Sequence, residues 1–218
     1  MVIDRIHSRK YPNSIVLQDA SWNFYRALLR EYDEQPSRIN YDRGTLEVMT
    51  LSIEHERFKM ILGEMIGMMA TLFRMRMTRG GSSTLKRMAK KKGLEADQCY
   101  WLANEPTMRT KKRIDLRSDP PPDLVIEIDI MHTVVNRENI YATLGVPEMW
   151  VLRRDLKLSA FSLNGGKWQA INQSLSFPFL RVAELNPFIA RIGVDDDTSI
   201  VADFKDWCEK LKAVRATP

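Results

Sequence analysis

Asp123-Leu124-Val125-Ile126-Glu127-Ile128-Asp129-Ile130 reads as a β-strand by its period of two. Leu124, Ile126, Ile128 and Ile130 share one face, and Asp123, Val125, Glu127 and Asp129 share the other. Three acids on a strand that otherwise reads as buried need compensation, because an unpaired buried carboxylate is strongly disfavoured. Two readings stand. The acids lie at strand ends in solvent or pair with arginines such as Arg113, Arg117 or Arg137, or they hold a cation. With no His or Cys beside them, a hard ion such as Mg²⁺ or Mn²⁺ fits better than zinc, and phosphodiester chemistry is the usual work of such an ion.

Downstream, NRENIYATLG predicts a helix over 136–145 that ends at Gly145, a common residue type at helix C-termini. EMWVLR, LKLSAFSL and KWQAIN continue as strands, the last two joined by Asn164-Gly165-Gly166. Upstream, residues 21–32 space apolar residues three or four apart behind Ser21 and predict an amphipathic helix. SRINYDRGTLEVM alternates on both sides of Asp42-Arg43-Gly44, the pattern of a hairpin with a tight turn. From Ser52 a capped, acidic first turn opens a long apolar helix, whose methionines between Met60 and Met77 indicate an adaptable core. After Gly80-Gly81, SSTLK and QCYWLA predict short strands, residues 104–122 a loop, and 181–190 and 200–213 packing helices. Strands and helices mix without the beat of a doubly wound sheet, so the expectation is one mixed α/β or α+β domain over 1–218.

Composition narrows the class. The chain has 218 residues, 33 Lys plus Arg against 28 Asp plus Glu, a net charge of +5, and 44% hydrophobic residues. That composition excludes a disordered or low-complexity chain. Cys99 and Cys208 form no C-x-x-C and indicate neither a disulfide framework nor a thiolate zinc site, so a reducing cytoplasm is expected. The opening MVIDRIHSRK is charged from Asp4 and does not read as a signal peptide. The most apolar stretch, Phe58 to Phe73, is interrupted by Lys59 and Glu64 and does not read as a membrane span. Two basic clusters stand out: Lys86, Arg87, Lys90, Lys91 and Lys92, then Arg109, Lys111, Lys112 and Arg113. They are either solvated loop faces or a grip on a polyanion.

Other chemistries lack their motifs. There is no G-x-x-x-x-G-K-[ST], G-x-G-x-x-G or G-x-S-x-G, and His7, His55 and His132 have no zinc spacing. Trp22, Trp101, Trp150, Trp168 and Trp207 alternate with aliphatic residues and read as core rather than stacking platforms. Asp97 stands before the QCYW strand, and Glu54 and Glu56 lie in a first helical turn, where acids ordinarily stabilise the helix locally.

The string GSSTLKRMAKKKGLEADQCYWLANEP, then IDLRSDPPPDLVIEIDI, then IYATLGVPEMWVL, closely resembles the bacterial Uma-two family of restriction endonucleases, a branch of the PD-(D/E)XK nuclease superfamily. YDRGTLEVM and SIEHE resemble that family's opening hairpin and helix start, so the likeness runs over about 38–180. The resemblance implies a restriction-endonuclease-like core, a mixed central sheet flanked by helices, with a metal-dependent acidic site at its edge. It places the metal-binding aspartate on Asp97 and the (D/E) position on Glu127. Asp129 stands where the superfamily has lysine, and the lysine's relocated place, four residues before Tyr141, holds Arg137. Arginine can neutralise phosphate but does not readily lose a proton to act as a base. Glu54 takes the family's helix glutamate, with His55, Asp129 and Asp123 in support. The resulting expectation is a Mg²⁺- or Mn²⁺-dependent DNA endonuclease with Asp97, Glu127, Arg137 and Glu54 at its site. Lys86, Arg87, Lys90, Lys91, Lys92, Lys111, Lys112 and Arg113 would grip the backbone. A homodimer fits that superfamily. The alternative, motivated by Arg137, is a non-cutting descendant that binds DNA or a protein.

Overall fold

The computed structural model describes residues 14–31, 37–130 and 133–216. His7 and His132 lie outside the described residues. In chain order the strands are β1 (Ser14–Leu17), β2 (Ser37–Asp42), β3 (Thr45–Thr50), β4 (Thr78–Gly81), β5 (Thr84–Arg87), β6 (Lys92–Glu95), β7 (Gln98–Trp101), β8 (Leu124–Asp129), β9 (Glu148–Arg153), β10 (Leu158–Asn164) and β11 (Lys167–Ile171). The helices are α1 (Trp22–Glu31), α2 (Ile53–Leu72), α3 (Glu105–Met108), α4 (Arg137–Leu144), α5 (Asn186–Ile189) and α6 (Asp197–Ala216).

Two sheets form, ordered β1-β3-β2-β6-β5 and β11-β10-β9-β8-β7-β4. Among the described residues the β8–β9 pair runs parallel and the other ladders are antiparallel. A parallel pair needs a crossover, and α4 supplies it. The fold is therefore mixed α/β, with helices on a mixed sheet.

The expected hairpin is present in the register Asp42↔Thr45. Its two-residue turn has Arg43 at φ 46° and Gly44 at φ 109°, the doubly positive backbone that matches strand twist and that glycine adopts freely. The Ser52 hydroxyl accepts from the His55 amide at 3.1 Å and starts α2. Asn136 caps α4 in the same way, and Gly145 ends it at φ 83°. Strands β1 and β4 were not read from the sequence, and the first basic cluster turns out to span a hairpin, β5–β6, around a tight turn.

The period of two in β8 sorts its side chains as expected. Leu124, Ile126 and Ile128 join Phe58, Leu62, Met65 and Met69 of α2 and Phe204 of α6 in one core. Val125 faces the opposite way, into a second core with Trp101, Ile140 and Leu144. A third core places Trp22 and Tyr25 of α1 on Ile39, Tyr41 and Leu46 of the first sheet. The central sheet is thus covered on both faces, which is why β8 is apolar beyond simple alternation. Trp22, Trp101 and Trp150 are buried and the rings of Trp168 and Trp207 pack against these cores. Met65 and Met69 are core residues, whereas Met60 is 70% exposed. No helix among the described residues is long and apolar enough to cross a membrane.

Candidate functional site

Glu127 follows Val125 on the face of β8 that α4 covers, and it is buried. Helical spacing places Arg137 and Tyr141, four residues apart, on one side of α4 and over this carboxylate. Arg137 Nε donates to Glu127 Oε2 at 2.5 Å and Nη2 to Oε1 at 2.8 Å, a bidentate pair. The Tyr141 hydroxyl also donates to Oε1. The remaining edge of the guanidinium is engaged as well. Nη1 donates to Asn40 Oδ1 at 2.7 Å and Nη2 to the Glu95 carbonyl at 2.8 Å. Asn40 sits opposite Glu47 in the β2–β3 register and donates to it at 3.2 Å. Glu47 in turn accepts from the Thr133 hydroxyl at 2.6 Å and the Val134 amide at 2.8 Å. A continuous polar network therefore ties β8 and α4 to the first sheet.

Asp97, in the short turn between β6 and β7, is fully buried. Its Oδ2 accepts from the Ile128 amide at 2.8 Å, next along the strand from Glu127. Its Oδ1 abuts Arg38 Nη2 and lies 3.1 Å from His55 Nε2. These are close polar contacts without aligned hydrogen bonds: Asp97 Oδ1, Arg38 Nε and both His55 ring nitrogens have no hydrogen-bond partner among the described residues. His55 Nδ1 is 3.4 Å from Glu56, which pairs with Lys59 at 2.7 Å.

Burial and neighbouring charges set the protonation states. Burial, reinforced by the Arg38 charge, pulls the His55 imidazole down to about 4, so it is neutral at pH 7. Burial and the Arg137 charge lower Arg38 to about 10, which leaves it cationic. Burial alone would raise the Glu127 carboxyl, but Arg137 outweighs it and holds the group below its usual range. Burial likewise opposes the Arg137 charge, and Glu127 more than restores it. Burial raises Glu95 and Asp129 above the ordinary carboxylate range.

A cavity of about 330 Å³ opens here, lined by Arg38, Leu51, His55, Glu127, Asp129 and Arg137 among others. A second, of about 200 Å³, includes Arg38, Glu56, Lys59 and Glu95 in its lining. Arg38 therefore borders both.

The site residues expected from sequence divide sharply. Asp97, Glu127, Arg137 and His55 come together. Glu54 does not join them: it is exposed on the first turn of α2, and its neighbour His55 turns inward instead. Asp129 reaches the cavity from a half-exposed position, 3.4 Å from Arg153. Asp123 is a loop cap, accepting from the Leu102 and Asn104 amides at 2.7 and 3.0 Å. Lys92 cannot grip DNA as expected, because it is buried in β6 beside Asp42 at 3.4 Å. Lys111 pairs with Asp119 at 2.7 Å. Lys86, Lys90, Lys91, Lys112 and Arg113 are exposed and Arg87 is half-buried. Sequence reading missed Arg38, Asn40, Glu47 and Tyr141. The hairpin register carried one signal, since it sets Asn40 against Glu47.

The carboxylates as arranged do not fit a divalent ion. Glu127 gives both oxygens to Arg137 and Tyr141, and Asp97 gives its own to the Ile128 amide and the Arg38 contact. Mg²⁺ and Mn²⁺ want several free anionic or carbonyl oxygens. No group of three or more His, Cys, Asp or Glu side chains among the described residues converges on such a point.

No curated protein matches the chain. A solved structure from Anabaena variabilis, described as a "putative nuclease", superposes with a TM-score of 0.48 at 11% identity, covering 84% of this chain and 98% of that one. The model of the family described as "Uma2: Putative restriction endonuclease" matches residues 22–192. Nucleases act on nucleic acids, and many use a divalent ion. The matched span holds every residue of the network around Glu127 and Asp97, and the chain belongs to this restriction endonuclease family.

Proposed function

We propose that the chain binds DNA through its sugar-phosphate backbone and that, with its carboxylates paired as described, it does not cut the strand. Family membership supports a nucleic-acid ligand. The exposed cations Lys90, Lys91, Lys112 and Arg113 suit sequence-independent phosphate contacts. One observation carries the absence of cutting: the Glu127 oxygens are both committed to internal donors. Gel retardation at low and high salt, run beside a plasmid-nicking assay with Mg²⁺ or Mn²⁺, tests both halves. The expected result is salt-sensitive retardation with the plasmid left supercoiled. No retardation at low salt refutes the DNA half. Nicking that needs the metal and disappears in Glu127→Gln refutes the other half and establishes the second reading, a Mg²⁺- or Mn²⁺-dependent endonuclease. That second reading is favoured by the approach of Asp97 to the Ile128 amide, which brings it beside Glu127.

A further inference from the structure

We infer that Arg38 and Arg137 are built-in counter-cations that replace a divalent ion at Asp97 and Glu127. The inference rests on the proposed reading only in taking these two as the family's acidic pair. Two carboxylates face two guanidinium groups, and all four side chains are buried. Each of the two acids already has a buried counter-charge in contact with it, so a dication would have to displace or outcompete a guanidinium to reach either one. Entry would also strip Glu127 of its bidentate partner, and Arg137 is anchored from behind by Asn40 and the Glu95 carbonyl.

The position of Arg137 is a second, independent argument. It is the first residue of α4, where the helix dipole disfavours a cation. Local helix energetics do not place a positive charge there, whereas Glu127 does. Arg38 plays the matching part for Asp97: it lines the cavity, while Asp97 is fully buried and in contact with it. The two arginines also repel each other across the site, and they stay together because each has its own acid. The two acids thus carry their counter-charges within the fold.

The test is metal binding in the absence of DNA, so its failure is distinct from failure of the DNA reading. Wild type, Arg137→Gln, Arg38→Gln and Glu127→Gln are titrated with Mn²⁺ by calorimetry, and their melting temperatures are recorded with Mn²⁺ and with EDTA. Wild type should show no binding heat and the same melting temperature in both. Arg137→Gln and Arg38→Gln, each leaving an acid unmatched, should melt lower and regain about 5 °C with saturating Mn²⁺. A wild-type Mn²⁺ site that is lost in Glu127→Gln overturns the inference. So does failure of every folded arginine variant to acquire Mn²⁺ affinity. If Arg137→Gln does not fold, Arg38→Gln carries the comparison, and the wild-type titration stands by itself.

Discussion

The two buried ion pairs of the site sit side by side yet are built differently. Glu127 and Arg137 form a bidentate pair in which Tyr141, Asn40 and the Glu95 carbonyl take up remaining donors and acceptors. Asp97 and Arg38 are in direct contact, with Arg38 Nε, Asp97 Oδ1 and the His55 nitrogens lacking hydrogen-bond partners among the described residues. Burying two charges costs several kcal/mol per ion, and attraction offsets that only when hydrogen bonds satisfy what is left over. The difference is that the first pair meets its polar requirements within the network, whereas the second leaves polar atoms without hydrogen-bond partners among the described residues.

Breaking the first pair should therefore have the largest effect. Arg137→Met leaves Glu127 buried without a counter-charge and should cost about 3–5 kcal/mol. Thermal melting should register about 10 °C of loss at this chain length. Adding Glu127→Gln should recover much of it in a double-mutant cycle, and strict additivity would break the comparison. Asp97→Ala should cost less, about 1–3 kcal/mol in urea denaturation, for the orphaned Ile128 amide and the unmatched Arg38. Tyr141→Phe removes one hydrogen bond to Glu127 and should cost about 1 kcal/mol by the same measurement.

Acid should find the second pair first. His55 has its folded pKa lowered from 6.5 to about 4, so the unfolded chain binds the proton more readily. The neutral imidazole's contribution is complete above pH 6.5 and is lost as pH falls towards 4. Arg38, Asp97, Glu56 and Glu127 are charged groups that act on this ring. Urea midpoints followed across that window should slope downward with acid in wild type and flatten in His55→Gln. An unchanged slope in the variant would assign the acid sensitivity elsewhere. The smallest effect on stability belongs to the exposed cations. Lys90→Glu with Lys91→Glu should leave the unfolding free energy within about 0.5 kcal/mol of wild type. The same pair should lower the salt slope of DNA retardation by about 2.

Much of this was readable one segment at a time. The alternation of residues 123–130, the Ser52 cap, the Arg43-Gly44 turn and the Gly145 terminus are local features, and local chemistry settles them. Asp97, Glu127 and Arg137 were recognisable through motif order along the chain. Glu54 and His55 show where such reading stops, because adjacent helical positions differ by about 100° in direction and only the packing of α2 decides which points inward. Lys92 shows the same limit on a strand: its place in a basic run suggested solvent, but β6 lies inside a sheet and aims it at Asp42.

From the sequence alone came most of the strand and helix pattern, though not β1, β4 or β6, together with the family likeness and the shortlist of acids, since each depends on residues close in the chain or on motif order. Only the tertiary structure decided what those acids touch. Arg137 meets Asn40 across 97 residues, Thr133 meets Glu47 across 86, and Ile128 meets Asp97 across 31. Contacts over such separations depend on how two sheets pack across one short helix, and no local propensity encodes them.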